Sequence, residues 1–235
     1  MKFSEISDFP KGLSDYLSGN KIVDMTEIQR QTYKHIINNR DIIACSSTGT
    51  GKTLAYLIPI IGRLRDNTNN IQAIILVPTA ELAIQVNNTI KEIFSYYDNK
   101  FSSAALIGDV NVSRQLESLK VNKPSIVVGT PNRIHQLILN KKLKVHEVKT
   151  LVLDEADRLF DKTFIQDVAA IRKSLMKFTQ VLLFSASVDK KTRTNNLTFK
   201  PIFIDINSNS GNDSQIPSTI KHICVLSDRR ERIET

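Results

Sequence analysis

Short, β-branched apolar runs recur along the chain, separated by longer segments of helical spacing. The runs are DIIAC (41–45), QAIILV (72–77), SSAALI (102–107), SIVVG (125–129), TLVLD (150–154), QVLLFS (180–185) and PIFIDI (201–206). Several are apolar on both alternations, as strands covered on both faces are. The segments 79–97 (TAELAIQVNNTIKEIFSYY) and 163–178 (TFIQDVAAIRKSLMKF) carry helical spacing. Strands alternating with helices require crossover connections, so the expected fold class is α/β, a three-layer domain with a mostly parallel central sheet. In such sheets the ligand crevice lies beyond the carboxyl ends of the strands. Residues that carry chemistry are therefore expected just after the apolar runs.

They stand there. SSTGTGKT (Ser46, Ser47, Thr48, Gly49, Thr50, Gly51, Lys52, Thr53) follows the first run and opens a helical pattern. A phosphate-binding loop needs backbone N–H groups turned inward, and Gly49 and Gly51 permit that geometry. The helix starting near Lys52 offers its positive end. Lys52 supplies a point charge for phosphate, and the Thr53 hydroxyl can hold Mg²⁺. Ser46 stands where the common pattern has glycine. A phosphate loop also needs a magnesium-holding carboxylate at the end of another strand. TLVLDEADRLF (150–160) supplies it: Asp154 would hold Mg²⁺ through water, and Glu155 could orient and deprotonate the attacking water. Taken alone, these carboxylates would read as an acidic first turn of a helix. The pairing with Ser46–Thr53 makes them a nucleotide site of the P-loop NTPase type.

Composition narrows the partner. The 235 residues carry 32 basic against 24 acidic side chains, a formal charge of +8, with a pI near 9.4. That excess suits a polyanion such as nucleic acid, or else a solvated surface with surplus lysine. The two cysteines, Cys45 and Cys224, form neither a disulfide framework nor a metal pattern. They fit a reducing, intracellular setting. No apolar run approaches the ~20 residues that span a bilayer, so no membrane partner is expected.

DEAD at 154–157 behind an apolar strand, with TGTGKT upstream, resembles the DEAD-box ATP-dependent RNA helicases. MTEIQ (25–29) resembles the family's Q motif, PTAELA (78–83) motif Ia, TPNR (130–133) motif Ib and SAS (185–187) motif III. The resemblance implies a RecA-like domain that binds ATP and Mg²⁺. It implies that Gln29 reads the adenine edge and that Phe3 stacks near it. Pro78, Thr79, Thr130, Pro131 and Arg133 would grip the RNA backbone. Asp157, Ser185 and Ser187 would couple the ATP site to RNA. Contacts to phosphate and sugar position a strand without reading its sequence, so little sequence preference is expected. The family's proline and arginine are replaced by Met25 and Ala80, a glycine by Asp109, another by Asn132, and a threonine by Ser187. His135 and His146 read as surface or packing residues, and the run NKKLKVHEVK (140–149) as a solvated loop.

The chain divides by this reading into a Q-motif region (1–40), a RecA-like ATP-binding domain (41–206), a polar linker (207–217) and a tail (218–235). The tail either packs on the main domain or opens a second one, and the second reading is preferred. With the second domain's arginine finger missing, residues 1–235 alone are expected to bind nucleotide weakly, hydrolyse it poorly and not unwind RNA. DEADRLF and IPSTIKH resemble a nucleolar subgroup acting in small-subunit ribosomal RNA maturation. That match implies the nucleus or nucleolus, with the cytoplasm as the alternative, and pre-ribosomal protein partners. The chain is expected to be a monomer. An ATP-gated RNA clamp without unwinding is the alternative activity. A DNA-directed helicase is disfavoured by Gln29 and the Asp154–Asp157 run.

Overall fold

The computed structural model describes residues 2–6, 9–66, 68–98, 100–108, 112–187, 192 and 196–207. Every apolar run of the sequence becomes a strand. In chain order these are β1 (Ile42–Cys45), β2 (Ala73–Leu76), β3 (Ser103–Leu106), β4 (Ile126–Gly129), β5 (Thr150–Asp154), β6 (Gln180–Ser185) and β7 (Ile202–Asp205). They form one seven-stranded sheet in the order β3-β4-β2-β5-β6-β1-β7. Each ladder is parallel.

Among the described residues eight α-helices cover the sheet, after a short 3₁₀ turn at Phe3–Glu5. On one side lie α1 (Lys11–Gly19), α2 (Glu27–Ile37), α3 (Lys52–Ile61) and α4 (Ala80–Phe94). Their apolar residues share a core with Ile42, Ala44, Ala73, Ile75, Val152 and Leu182. On the other side lie α5 (Val112–Asn122), α6 (Pro131–Leu139), α7 (Ala156–Leu159) and α8 (Ile165–Ser174). They pack with Ile43, Ile74, Leu76, Leu151, Leu153 and Leu183. The two cores take alternate residues of the same strands, as a period of two dictates. This is the RecA-like three-layer arrangement.

The region before residue 41 is not a separate piece. Phe3, Leu13, Ile28 and Ile36 belong to the same core as the strands. The predicted helix 79–97 starts one residue later, because the Thr79 hydroxyl accepts the Leu82 N–H and caps it. The predicted helix 163–178 is confined to Ile165–Ser174.

The strand order positions the site. β1 lies between β6 and β7, and β5 lies beside β6. Cys45 is level with Ser185, and Asp154 with Phe184. The loops after β1, β5 and β6 therefore emerge side by side. On the other half of the sheet Leu76 is level with Gly129, which places Pro78–Thr79 beside Thr130–Pro131.

Candidate nucleotide site

Beyond the carboxyl ends of β1 and β5 lies a groove of about 740 Å³, lined among others by Thr48, Gly49, Gly51, Lys52, Thr53 and Asp154. Glu155, Asp157 and Arg158 also line it. Gly49 and Gly51 have φ of 78° and 90°, in the left-handed region that favours glycine. At Gly51 a Cβ would also stand 2.6 Å from the Gln29 amide nitrogen. α3 begins directly at Lys52, so its unpaired N–H groups face the groove.

Not every loop residue faces the groove. Ser46 is fully buried, and its N–H extends the ladder to the Ser185 carbonyl at 3.0 Å. Its hydroxyl shares a short hydrogen bond with that of Thr50, which also donates to the Ser47 carbonyl at 2.9 Å. The Ser47 N–H donates to Asn207 Oδ1 at 3.0 Å. Ser46, Ser47 and Thr50 therefore brace the loop from behind. This also explains why position 46 tolerates a side chain: serine there fills a bonded core position.

Lys52 Nζ donates to the carbonyls of Ser46 and Ser47, the latter at 2.9 Å. In this structure the loop closes on its own cation. Burial lowers the Lys52 pKa, and the Asp154 charge opposes that shift.

Asp154 is 9% exposed. Burial pushes its carboxyl pKa up, while the Tyr56 hydroxyl, the Glu155 N–H and Lys52 pull it back. Tyr56 donates to Asp154 Oδ2 at 2.8 Å, and the Glu155 N–H to Oδ1 at 3.0 Å. Tyr56 stands three residues after Thr53 on α3, so Asp154 is tied to the helix that carries Thr53. The Tyr56 pKa is held well above 10 by burial and by Asp154, so its hydroxyl stays a donor. Thr53 and Asp154 line the same groove. A single carboxylate with a neighbouring hydroxyl, both hard oxygen donors, suits Mg²⁺, which keeps waters and takes phosphate oxygens as its other ligands. Among the described residues no cluster of three or more His, Cys, Asp or Glu could hold a metal ion by itself.

Glu155 has φ of 52°, an uncommon conformation for a residue with a side chain. Its carboxylate pairs with Arg158 at 3.1 Å. The coupling residues also meet. The Asp157 N–H donates to Ser185 Oγ at 3.3 Å, and Ser187 donates to Asp157 Oδ2 at 3.2 Å.

Three of the expected site residues are engaged within the protein. Gln29 is buried, with its oxygen accepting the Thr26 N–H at 3.0 Å and its nitrogen donating to the Gly51 carbonyl at 3.1 Å. It caps α2 and ties that helix to the loop, leaving one donor and one acceptor valence of the amide for a base. Phe3 offers no open stacking face: it is 4% exposed and packs 6.0 Å from Phe9.

Arg133 is not an exposed cation for RNA phosphate. It is 5% exposed. Its guanidinium donates to the carbonyls of Ile107 (3.0 Å) and Gly108 (2.7 Å) and to Gln136 (3.1 Å). Two of these contacts go to the loop after β3 and one to Gln136 on α6, so the guanidinium braces that loop. Pro78, Thr79, Thr130 and Pro131 do come together at the ends of β2 and β4, with Thr79 capping α4 and Thr130 at the N-cap of α6.

His135 pairs with Asp167 at 2.6 Å and joins α6 to α8. Asp109, Cys224 and the expected tail lie outside the described residues, as does the expected linker beyond Asn207.

Three contributors escaped the sequence reading. Tyr56 stands one turn after Thr53, a spacing that signals the same helix face. Asn207, placed in the linker, instead bonds to Ser47, to the Cys45 thiol at 3.3 Å and to the Ala186 carbonyl at 3.1 Å. The capping box Thr26-x-x-Gln29 was readable from spacing alone. Burial raises the Cys45 thiol pKa to about 11, which leaves it a protonated core residue.

Residues 26–195 match the family described as DEAD/DEAH box helicase. The DEAD-box ATP-dependent RNA helicase CshC of Bacillus cereus is 36% identical over 211 residues, covering 89% of this chain and 52% of that relative. The probable ATP-dependent RNA helicase YfmL of Bacillus subtilis is also 36% identical, covering 89% and 54%. A DEAD box protein from the hyperthermophile Methanococcus jannaschii superposes with a TM-score of 0.80 at 31% identity, covering 89% of this chain and 57% of that one. The DEAD-box helicase Mss116 bound to ssRNA and UDP-BeF superposes at 0.78 with 30% identity, covering 85% and 44%. This chain spans about half the length of the curated relatives it matches. The expected nuclear or nucleolar location is overturned, since CshC and YfmL are bacterial proteins. The ribosomal RNA role drawn from the same short match loses its footing with it.

Proposed function

This chain belongs to the DEAD/DEAH box helicase family, and from that membership we propose that it is the ATP-binding half of an RNA-dependent ATPase that remodels RNA. The observation that carries the reading is the shared groove: a glycine loop at the start of α3 faces Asp154 and Glu155 across one cavity. The loop N–H groups and the positive end of α3 hold phosphate. Lys52 leaves the Ser46 and Ser47 carbonyls and turns to the phosphates. Thr53 and Asp154 would hold Mg²⁺, which would neutralise charge on the phosphates. Glu155 positions water for in-line attack and takes its proton. Gln29 offers its remaining amide valences to the adenine edge, N6–H and N7.

We infer that single-stranded RNA lies along the ends of β2 and β4, against the backbone of Pro78–Thr79 and Thr130–Pro131. Support comes from their adjacency in the sheet, and from Mss116, a relative whose structure holds ssRNA. The contact from Asp157 to Ser185 and Ser187 connects the acidic strand end with the loop after β6, a route by which nucleotide state reaches RNA. One copy of the chain per nucleotide suffices for this reading. RNA-stimulated ATP hydrolysis by the full-length protein, alongside Glu155→Gln, tests it. Hydrolysis that is indifferent to RNA, or unchanged in the variant, would remove the proposed mechanism.

A further inference from the structure

Exposed cations of this chain line two grooves at the end of the sheet opposite the nucleotide groove. A second groove, of about 810 Å³, opens at the amino ends of β1, β2, β5 and β6. Arg40, Arg65, Lys149, Lys177 and Lys200 line it, and all five are exposed. Arg63, a sixth cation, is engaged by Ile36, Asn39, Pro59 and Gln180 and serves the fold. The one acid in the lining, Asp41, accepts the N–H groups of Val181 (2.8 Å) and Phe199 (2.7 Å).

Two phenylalanines stand in the same groove. Phe178 and Phe199 are 69% and 76% exposed, an unusual outlay of aromatic surface to water. Each has a lysine against its ring: Lys149 lies 5.0 Å from the Phe178 centroid, and Lys200 lies 5.6 Å from that of Phe199. A base stacked on either ring would place its phosphate within reach of that ammonium. Next to this groove lies another of about 580 Å³, lined by Lys120, Lys123, Lys141, Lys142 and Lys144 and by no acid. Ile71 lines the second and Gln72 the first, so consecutive residues border the two grooves. Nearby acids are Glu147, which accepts from Thr68 and Asn70, and the exposed Asp66.

We propose that this amino-end face is a second RNA-binding surface, holding a single strand by stacking on Phe178 and Phe199 and by phosphate contacts along the lysine track. Cations alone would serve any polyanion. Cations interleaved with exposed rings suit single-stranded nucleic acid, because every base has a face to stack. The surface lies away from the ATP groove, so it holds RNA whether or not nucleotide is bound. It would keep a long RNA attached while the other face acts on it. The choice of RNA as the polyanion rests on the proposed function above.

The test is anisotropy of a fluorescein-labelled 20-mer of uridine with the full chain, without nucleotide and across a salt series. Wild type should bind. Combined Phe178→Ala and Phe199→Ala should weaken binding about tenfold or more with an unchanged salt slope. Combined Lys149→Ala, Lys177→Ala and Lys200→Ala should weaken it similarly and reduce the slope of log K against log salt by about 2. ATP binding should be unaltered in both, which verifies the fold. Unchanged RNA affinity in both variants overturns the surface. So does binding of phosphatidylserine vesicles or polyglutamate that equals RNA binding and ignores the phenylalanines. RNA held only with a non-hydrolysable ATP analogue, and equally by all variants, overturns this surface but leaves the proposed function standing. RNA held in neither state overturns both.

Discussion

The two ends of the sheet treat their polar side chains in opposite ways. At the carboxyl ends almost every functional group is already bonded within the protein. Lys52 closes on loop carbonyls, Asp154 on Tyr56, Gln29 on Gly51, and Arg133 on the loop after β3. At the amino ends the cations and two phenylalanines project into solvent around open grooves. Parallel topology produces the asymmetry. Helix starts and strand carboxyl ends converge on one edge, where close packing demands internal satisfaction. The opposite edge receives helix ends and their following loops, where charge stays hydrated. A buried, pre-bonded site gives geometric precision and must exchange its internal bonds for ligand. An exposed cationic face gives attraction without fixed geometry.

Several substitutions would break or sharpen that contrast. The largest effect belongs to Glu155→Gln, expected to slow RNA-stimulated ATP turnover about 100- to 1000-fold, with ATP affinity kept within about threefold. Steady-state hydrolysis and nucleotide binding measured side by side check it. Next comes Arg133→Ala. If its guanidinium serves the loop, the variant loses about 2–3 kcal/mol of stability through the stranded Ile107 and Gly108 carbonyls, read by urea unfolding. An exposed RNA-facing arginine would cost almost nothing in stability. Gln29→Ala should weaken ATP about tenfold and lower the preference for ATP over GTP, since it removes both the brace on Gly51 and the adenine contact. Titration with the two nucleotides decides it.

The smallest effect concerns Asp154. Its pKa is raised in the folded chain, chiefly by burial. The folded state therefore prefers the protonated acid: that contribution is full below the ordinary carboxylate pKa, about 3.9, and is lost as pH rises through the higher folded value. Ligand-free Asp154→Asn should thus melt higher than wild type at pH 7, and the gain should vanish near pH 3. A lower melting temperature at pH 7 would mean that the Tyr56 and Lys52 contacts outweigh burial.

Much of this architecture could be read from composition and period. Every apolar run became a strand within a residue or so, and in the five inner strands burial on both faces leaves a continuous apolar signature. The phosphate loop and the acidic strand end were legible because their spacing is local. Roles settled by distant contacts were not legible. Arg133 has the sequence context of an exposed cation, and only the return of residues 107–108 beside it accounts for its burial. Asn207 reads as linker until β7 brings it to Ser47, 160 positions away in sequence. The lysines of 140–149 read as a solvated loop, and they become a track only when the fold lays them beside Lys120 and Lys123.

The central claim is that the groove beside α3 takes ATP with Mg²⁺ through Lys52. Calorimetric titration of ATP, with and without Mg²⁺, into wild type and Lys52→Ala tests it most directly. One site is expected, binding more tightly with Mg²⁺ and about 10- to 100-fold more weakly in the variant, as loss of a charge-assisted contact requires. Equal affinity in wild type and Lys52→Ala, indifferent to Mg²⁺, would contradict it.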